Sequence, residues 1–277
     1  MPVRDAGRWI EAQLEGLARQ TYTGPWELVV ADNGSTDATL DILRRWEDRL
    51  PLRVVDASSR PGAGAARNIG AAAARGESLA FCDADDVVAP GWLEACVGAL
   101  RASDFVAGSF DHHSLNPGLR AGWHWNSHVT SAPLGLCFLP YACSGNMAVS
   151  RRAFERVGGF SDDPIGHDMD LSWRLQLAGY PLHFEPSAVV AYRHRERLGQ
   201  VWRQHVDYGA AGALLYKRFR SSGVPRHSLL RALYGYLRLI RSSAQLVSRE
   251  TRGEWLWAAA GKYGQLLGSL RYRVQFL

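Results

Sequence analysis

No run of eighteen apolar residues occurs anywhere in the 277-residue chain, and its four cysteines (Cys82, Cys96, Cys137 and Cys143) form no C-x-x-C pair. The first absence argues against a membrane-spanning helix. A chain of this length builds a core without disulfide staples, so the cysteines are read as reduced thiols, which points to the cytoplasm. The opening MPVRDAGRWIEAQLEGL places Arg4 and Asp5 where an export signal would carry apolar residues, so export is not expected. There is no internal repeat and no low-complexity stretch. A balance of 47% hydrophobic, 21% charged and 10% aromatic residues speaks against disorder, a collagen-like repeat or a coiled coil. The length suggests one large domain with an appendage.

Charge is unevenly spread. From Arg193 onward the chain holds 16 Lys and Arg against 4 Asp and Glu, a net +12, while the preceding 192 residues hold 16 against 23, a net −7. An acidic body thus carries a basic tail. Such a tail either faces an anionic surface or partner or is a solvated Arg-rich helical face. No aromatic and basic interleaving of a nucleic-acid module is present, so nucleic acid is not expected.

Through the first hundred residues helix-like and strand-like runs alternate, the mark of a parallel sheet with crossover helices. The periodicity predicts a helix over 8–19, with Trp9, Ile10, Leu14 and Leu17 on one face, then a strand from Leu28 to Ala31. The turn Asp32 to Asp37 follows, whose Ser35 or Thr36 can cap a helix running to Trp46. Leu52–Asp56 and Ser78–Cys82 read as strands, Gly62-Ala63-Gly64 opens an Ala-rich helix to about Arg75, and Pro90 is placed to start another. Residues 111–142 show no period and read as long loops. A strand from Asn146, helices from Arg151 and near Asp168, and a strand at 188–192 come next. Two or three amphipathic helices complete the chain.

Asp83, Asp85 and Asp86 crowd three carboxylates into four residues at a strand end. Like charges so close repel unless a cation or proton relieves them. Mg²⁺ or Mn²⁺ is the natural relief, since each takes a few carboxylate oxygens and fills its remaining positions with water and phosphate. Asp32 ends another predicted strand and could accept from a nucleobase N–H. Open α/β sheets bind ligands beyond the carboxyl ends of their strands, so both clusters point to one edge.

The segments VVADNGSTD, GAGAARNIG, FCDADD, GNMAVSRRAFERVGGF and HDMDLSWRLQLAGY together resemble the family 2 glycosyltransferases, over roughly residues 2–195. The resemblance implies a GT-A fold, an α/β domain over 1–195 with a mostly parallel central sheet flanked by helices, followed by a basic helical extension over 196–277. It implies transfer of a sugar, with inversion, from a nucleoside diphosphate, most often a UDP-sugar. By the same likeness Asp32 contacts the base, Arg67 and Asn68 flank the nucleotide, and Asp83 contacts ribose or supports the metal. Asp85 is implied as a Mn²⁺ or Mg²⁺ ligand, and His194 as either another ligand or a surface residue. Asp168 is implied as the general base, with Asp170 as a competitor that a helix should turn elsewhere.

Two departures stand out. The residue before Asp168 is His167, where the family usually has Glu. The chain also begins at Met1-Pro2-Val3-Arg4-Asp5, already at the turn that follows the family's first strand, so that strand is expected to be missing. A fold that keeps the nucleotide-sugar site but has lost turnover is the alternative reading. The sequences of 228–240 and 264–277 carry apolar faces with Arg-rich borders. These suit either packing or a peripheral position on the inner face of a membrane, where a lipid-linked or envelope acceptor would be met.

Overall fold

The computed structural model describes residues 1–117, 131–163, 165–226, 228–248 and 251–276, so part of the predicted loop region lies outside the described residues. It divides into two compact units. The first holds Met1–Leu115, 131–133 and Pro140–Arg193, and the second holds 116–117, Leu134–Leu139 and 194–276.

The first unit alternates strand and helix: β1 (Pro2–Val3), α1 (Ile10–Ala18), β2 (Leu28–Asp32), α2 (Thr39–Trp46), β3 (Leu52–Asp56), α3 (Ala63–Ala73) and β4 (Ser78–Cys82). It continues with β5 (Val87–Val88), α4 (Trp92–Leu100) and β6 (Phe105–Asp111). Next in the chain come β7 (Leu134–Gly135), which belongs to the second unit, and β8 (Leu139–Pro140), which pairs with it. β9 (Asn146–Ser150), α5 (Arg151–Arg156), α6 (His167–Leu177) and β10 (His183–Ala191) follow. Strands β1, β2 and β3 form a parallel sheet in the order β1-β2-β3. A second, mixed sheet runs β4-β9-β6-β10-β5, in which only β6 and β10 are parallel.

The missing first strand is corrected: Pro2–Val3 is a short strand, β1, paired with β2. Pro2 lies opposite Ala31 and Val3 opposite Asp32. The N–H groups of Ala31 and Asn33, which would otherwise be orphaned, donate to the carbonyls of Met1 (2.9 Å) and Val3 (2.8 Å). Pro90 does not open α4; the helix begins two residues later, where the Trp92 N–H donates to the Ala89 carbonyl. Strands β5 and β6 are additions to the expected set, as are β7 and β8, which fall in the stretch expected as loops.

Alternation along the second sheet builds two cores. Leu79 and Phe81 of β4, Phe105 and Ala107 of β6, and Met147 and Val149 of β9 pack with Leu171 and Leu175 of α6. Their neighbours Cys82, Val106 and Ala148 point the other way, into a core shared with Ile10, Leu14 and Leu17 of α1 and Trp92 of α4. A side-chain period of two therefore places one helical layer on each face.

Asn146 is the polar exception, fully buried at the start of β9. Its Nδ2 donates to the carbonyls of Ser109 (2.7 Å) and Ala188 (2.9 Å), and its Oδ1 accepts from Trp92 Nε1 (2.8 Å). One side chain thus ties β6, β10 and α4 to β9. Gly108 makes room for it, since a Cβ there would lie 2.4 Å from Asn146 Oδ1.

In the second unit α7 (Leu198–Phe219), α8 (Leu229–Arg241) and α9 (Arg252–Tyr272) are the long helices. Helices α7 and α9 meet backbone to backbone. A Cβ on Gly264 would lie 2.1 Å from the Val206 carbonyl oxygen, and one on Gly268 would lie 2.7 Å from Ala210 Cα. No helix among the described residues is long and apolar enough to cross a membrane.

Replacing Asn146 by Leu leaves an indole N–H and two carbonyls without that partner. At about 1 to 3 kcal/mol for each buried orphan, the variant should lose roughly 3 kcal/mol or more of stability in urea unfolding.

Candidate functional site

Strand β4 ends at Cys82, opposite Asn146 of β9, and the chain turns at once into Asp83. Gln13 of α1 fixes that turn: its Nε2 donates to the Asp83 carbonyl (2.9 Å) and its Oε1 accepts the Val88 N–H (3.0 Å). Carboxylate oxygens of Asp83, Asp85 and Asp86 come within 4.8 Å of one another. Gly145 faces them, and a Cβ there would lie 2.8 Å from Asp83 Oδ2 and 3.6 Å from Asp86 Oδ2.

Two arginines bring positive charge. Arg67 of α3 is buried and its Nη2 donates to Asp83 Oδ1. Arg193 donates its backbone N–H to Asp86 Oδ1 (2.8 Å) and its Nε to the Asp85 carbonyl (2.8 Å), with its guanidinium carbon 4.1 Å from the centroid of the Trp9 ring. The other arm of Arg67, Nη1, lies 3.0 Å from His167 Nε2. A guanidinium can only donate, so His167 accepts there, and its ring is neutral with the proton on Nδ1. Burial lowers the His167 pKa, and Arg67 adds to that, while Asp168, Asp83 and the Asp163 backbone act in the opposite sense. Arg67 Nε is buried without a hydrogen-bond partner among the described residues.

Asp168 is the second residue of α6, half-buried, with Oδ1 accepting the Met169 N–H (2.8 Å). Helix α6 starts after Gly166, whose φ of +79° is readily available to glycine, and no side chain caps it. Asp168 and Asp83 both act electrostatically on His167 and on Cys143. Burial, then Asp168, Asp83 and Asp86, push the Cys143 thiol well above its ordinary pKa. Asp170 is fully buried and is held by Arg174 Nε (2.7 Å), while Arg174 Nη2 also reaches the Gly159 carbonyl (2.7 Å). Its carboxylate is thus engaged in a structural ion pair.

At the end of β2 Asp32 is buried and accepts the Ser35 N–H (3.2 Å). Asn33 beside it donates to the Ala57 and Arg60 carbonyls and accepts the Gly62 N–H (2.8 Å), clamping the ends of β2 and β3 to the start of α3. Neither Ser35 nor Thr36 caps α2; Asp37 Oδ1 accepts the Thr39 N–H (2.9 Å) instead. Asn68 turns both ends of its amide to the Phe160 backbone, at 2.8 and 2.9 Å, and so fixes the loop ahead of α6. His194 opens the run of the second unit that carries α7 to α9, is buried, and donates its N–H to Asn116 Oδ1 (2.9 Å).

Within the first unit, then, the structure joins Asp83, Asp85, Asp86, Arg67 and His167 in one charged network, with Asp168 acting on its edge. The sequence did not single out Gln13, Asn33, Cys143 or Gly145. The carboxylate oxygens are hard donors suited to Mg²⁺ or Mn²⁺, and the missing Cβ at Gly145 lets the Asp83 carboxylate lie close against the backbone beside Asp86, so this donor set fits a divalent cation.

Comparison with known proteins gives the same family. The model of glycosyl transferase family 2 matches residues 1–158. A pre-mycofactocin glycosyltransferase of Mycobacterium tuberculosis is 33% identical over 180 residues, covering 59% of this chain and 37% of that protein. A validoxylamine A glucosyltransferase of Streptomyces hygroscopicus subsp. limoneus is 30% identical over 220 residues, covering 66% and 48%. The chain therefore spans half or less of the length of these two relatives. Among solved structures, a mannosyltransferase from Pyrobaculum calidifontis in complex with GDP-Man and Mn²⁺ superposes with a TM-score of 0.68 at 21% identity, over 96% of this chain and 85% of that one. Residues 1–349 of TarS from S. aureus, in complex with UDP-GlcNAc, give 0.55 at 16% identity, over 99% and 90%. These likenesses show the fold. The chain belongs to glycosyl transferase family 2 and has the GT-A fold with a helical C-terminal part.

Proposed function

We propose that this protein is an inverting glycosyltransferase that moves a sugar from a nucleoside diphosphate to an alcohol. The observation that carries the reading is the clustering of Asp83, Asp85 and Asp86 beside Arg67, whose other arm meets His167, the neighbour of Asp168 in α6. The printed ligands of the solved relatives, GDP-Man with Mn²⁺ and UDP-GlcNAc, support a nucleotide sugar as donor. A UDP-sugar is the donor class favoured here.

In this reading Asp32 accepts from the base. Asp85 would hold Mg²⁺ or Mn²⁺, with Asp83 contacting the ribose or supporting the metal and Asp86 alongside, and a bound cation would offset charge on the departing diphosphate. Arg67 adds a fixed positive charge, and its unspent Nε donor marks a buried group that a ligand can complete. His194 as a further ligand rests on its place in the sequence. The alcohol oxygen attacks C1 of the sugar and its proton passes to the Asp168 carboxylate. The bond from C1 to the phosphate oxygen breaks, and the nucleoside diphosphate leaves with the electron pair. Attack opposite the leaving group inverts C1. Asp170 is a poorer base, being committed to Arg174.

His167 in place of the family's usual Glu leaves this design intact. A Glu carboxylate would draw on the charge of Arg67, whereas a neutral imidazole accepts one hydrogen bond and leaves that charge to Asp83 and the donor. Protonation removes the acceptor and sets a cation against a guanidinium.

In a thermal-shift experiment with nucleotide sugars, Asp85→Ala should abolish the shift that depends on Mn²⁺. Asp168→Asn should keep that shift while transfer falls at least about a hundredfold; full transfer by this variant would remove Asp168 as the base. Burial places the folded-state pKa of His167 below that of the unfolded chain. The unfolded chain therefore takes up the proton first, and stability declines as pH falls below about 6.5. His167→Gln retains an acceptor and does not titrate, so its melting temperature should fall less than that of the unaltered protein over the same pH range.

A further inference from the structure

Helix α8 presents an apolar side that nothing among the described residues covers. Leu229, Leu230, Leu233, Tyr234, Leu237 and Ile240 are 48% to 77% exposed. At about 100° per residue they occupy an arc of about 140°. The opposite side is spent on α9: Trp255 Nε1 donates to the Leu239 carbonyl (2.8 Å), Tyr236 Oη donates to the Lys262 carbonyl (3.2 Å), and a Cβ on Gly235 would lie 2.9 Å from Lys262 Cε. The exposed stripe is therefore surplus to the packing of the unit. It continues past the helix into Leu246 (40% exposed) and Val247 (89% exposed).

The charge around the stripe has one sign. Residues 208–249 contain eight Lys and Arg and no Asp or Glu. Arg226, Arg238 and Arg241 are exposed at or beside α8. Two copies pairing through this face would bring the arginines of both together, with no Asp or Glu on α8 itself to answer them. A nucleic acid would answer the charge but gains nothing from six exposed apolar side chains. An apolar stripe bordered by arginine matches a surface with an oily interior and anionic heads. Helices α7, α8 and α9 also line an open groove of about 310 Å³ whose walls include Trp202, Tyr236, Leu239, Tyr263 and Leu266, with Lys262 among them. Apolar walls with one cation suit an acyl chain and its phosphate.

We propose that α8 lies in the interface of an anionic lipid bilayer, its leucines among the acyl chains and its arginines at the phosphates, so that the protein binds membranes peripherally. This rests on the second unit alone and stands or falls separately from the transferase reading. Each basic residue near an anionic surface contributes about fivefold to partitioning, so the charged and apolar parts can be separated by mutation.

The test is co-sedimentation of the full chain with vesicles of phosphatidylcholine alone and of phosphatidylcholine mixed with phosphatidylglycerol. Binding to the mixed vesicles should exceed binding to the neutral ones at least about tenfold and weaken with salt. Leu233→Glu with Leu237→Glu should lower binding to mixed vesicles at least about tenfold, with circular dichroism and melting unchanged, since both positions are exposed. Arg238→Gln with Arg241→Gln should lower the preference for phosphatidylglycerol while leaving residual binding to neutral vesicles. Absence of binding to mixed vesicles overturns the proposal. So does unchanged binding by the Leu233→Glu, Leu237→Glu variant. Sedimentation equilibrium showing a dimer that this variant abolishes, without vesicle binding, would assign the face to a second copy instead.

Discussion

Three carboxylates within 4.8 Å of one another repel at neutral pH, and much of the first unit is arranged so that they can stay there. Arg67 reaches Asp83 from α3, and Arg193 reaches Asp86 and the Asp85 backbone from beyond β10. Gln13 holds the turn from α1, and Gly145, just ahead of β9, leaves room for the Asp83 carboxylate. Four separate segments therefore converge on one turn. Two of the four bring a guanidinium to the turn, which offsets part of the crowded negative charge.

Much of this fold was legible where period and punctuation agree. Leu52–Asp56 and Ser78–Cys82 are strands to the residue, and α2 ends at Trp46 as its apolar spacing requires. Strand β6 was not legible, because Gly108 and Ser109 interrupt its apolar run. The reason for Gly108 lies in Asn146, 38 positions later, whose amide occupies the space a side chain would need. A two-residue strand such as β1 has no period to detect; its register is visible only in the bonds it makes with β2. Pro90 signals a helix start correctly in kind but two residues early, since the first helical turn forms on the Ala89 carbonyl.

The site divides along a similar line. The acidic run was conspicuous because its spacing is local. The contact between Arg67 and His167 joins residues 100 positions apart, and no local pattern encodes it. Asn68 sits beside Arg67 in the sequence yet spends its amide on Phe160, because successive helical residues face different directions. His167 looked like a loss when set against the usual Glu. Its partner shows why an uncharged acceptor is serviceable there: Arg67 has one carboxylate to neutralise already, and a second would compete for it.

The seam between α7 and α9 has a separate consequence. It is made from backbone meeting backbone at Gly264 and Gly268. Such contact is dispersive and short in range, so dissolved ions have little purchase on it. Concentrated electrolyte that strips the arginines of their counterparts would leave these two helices clasped, and the unit could let go of a charged surface and take it up again without unfolding.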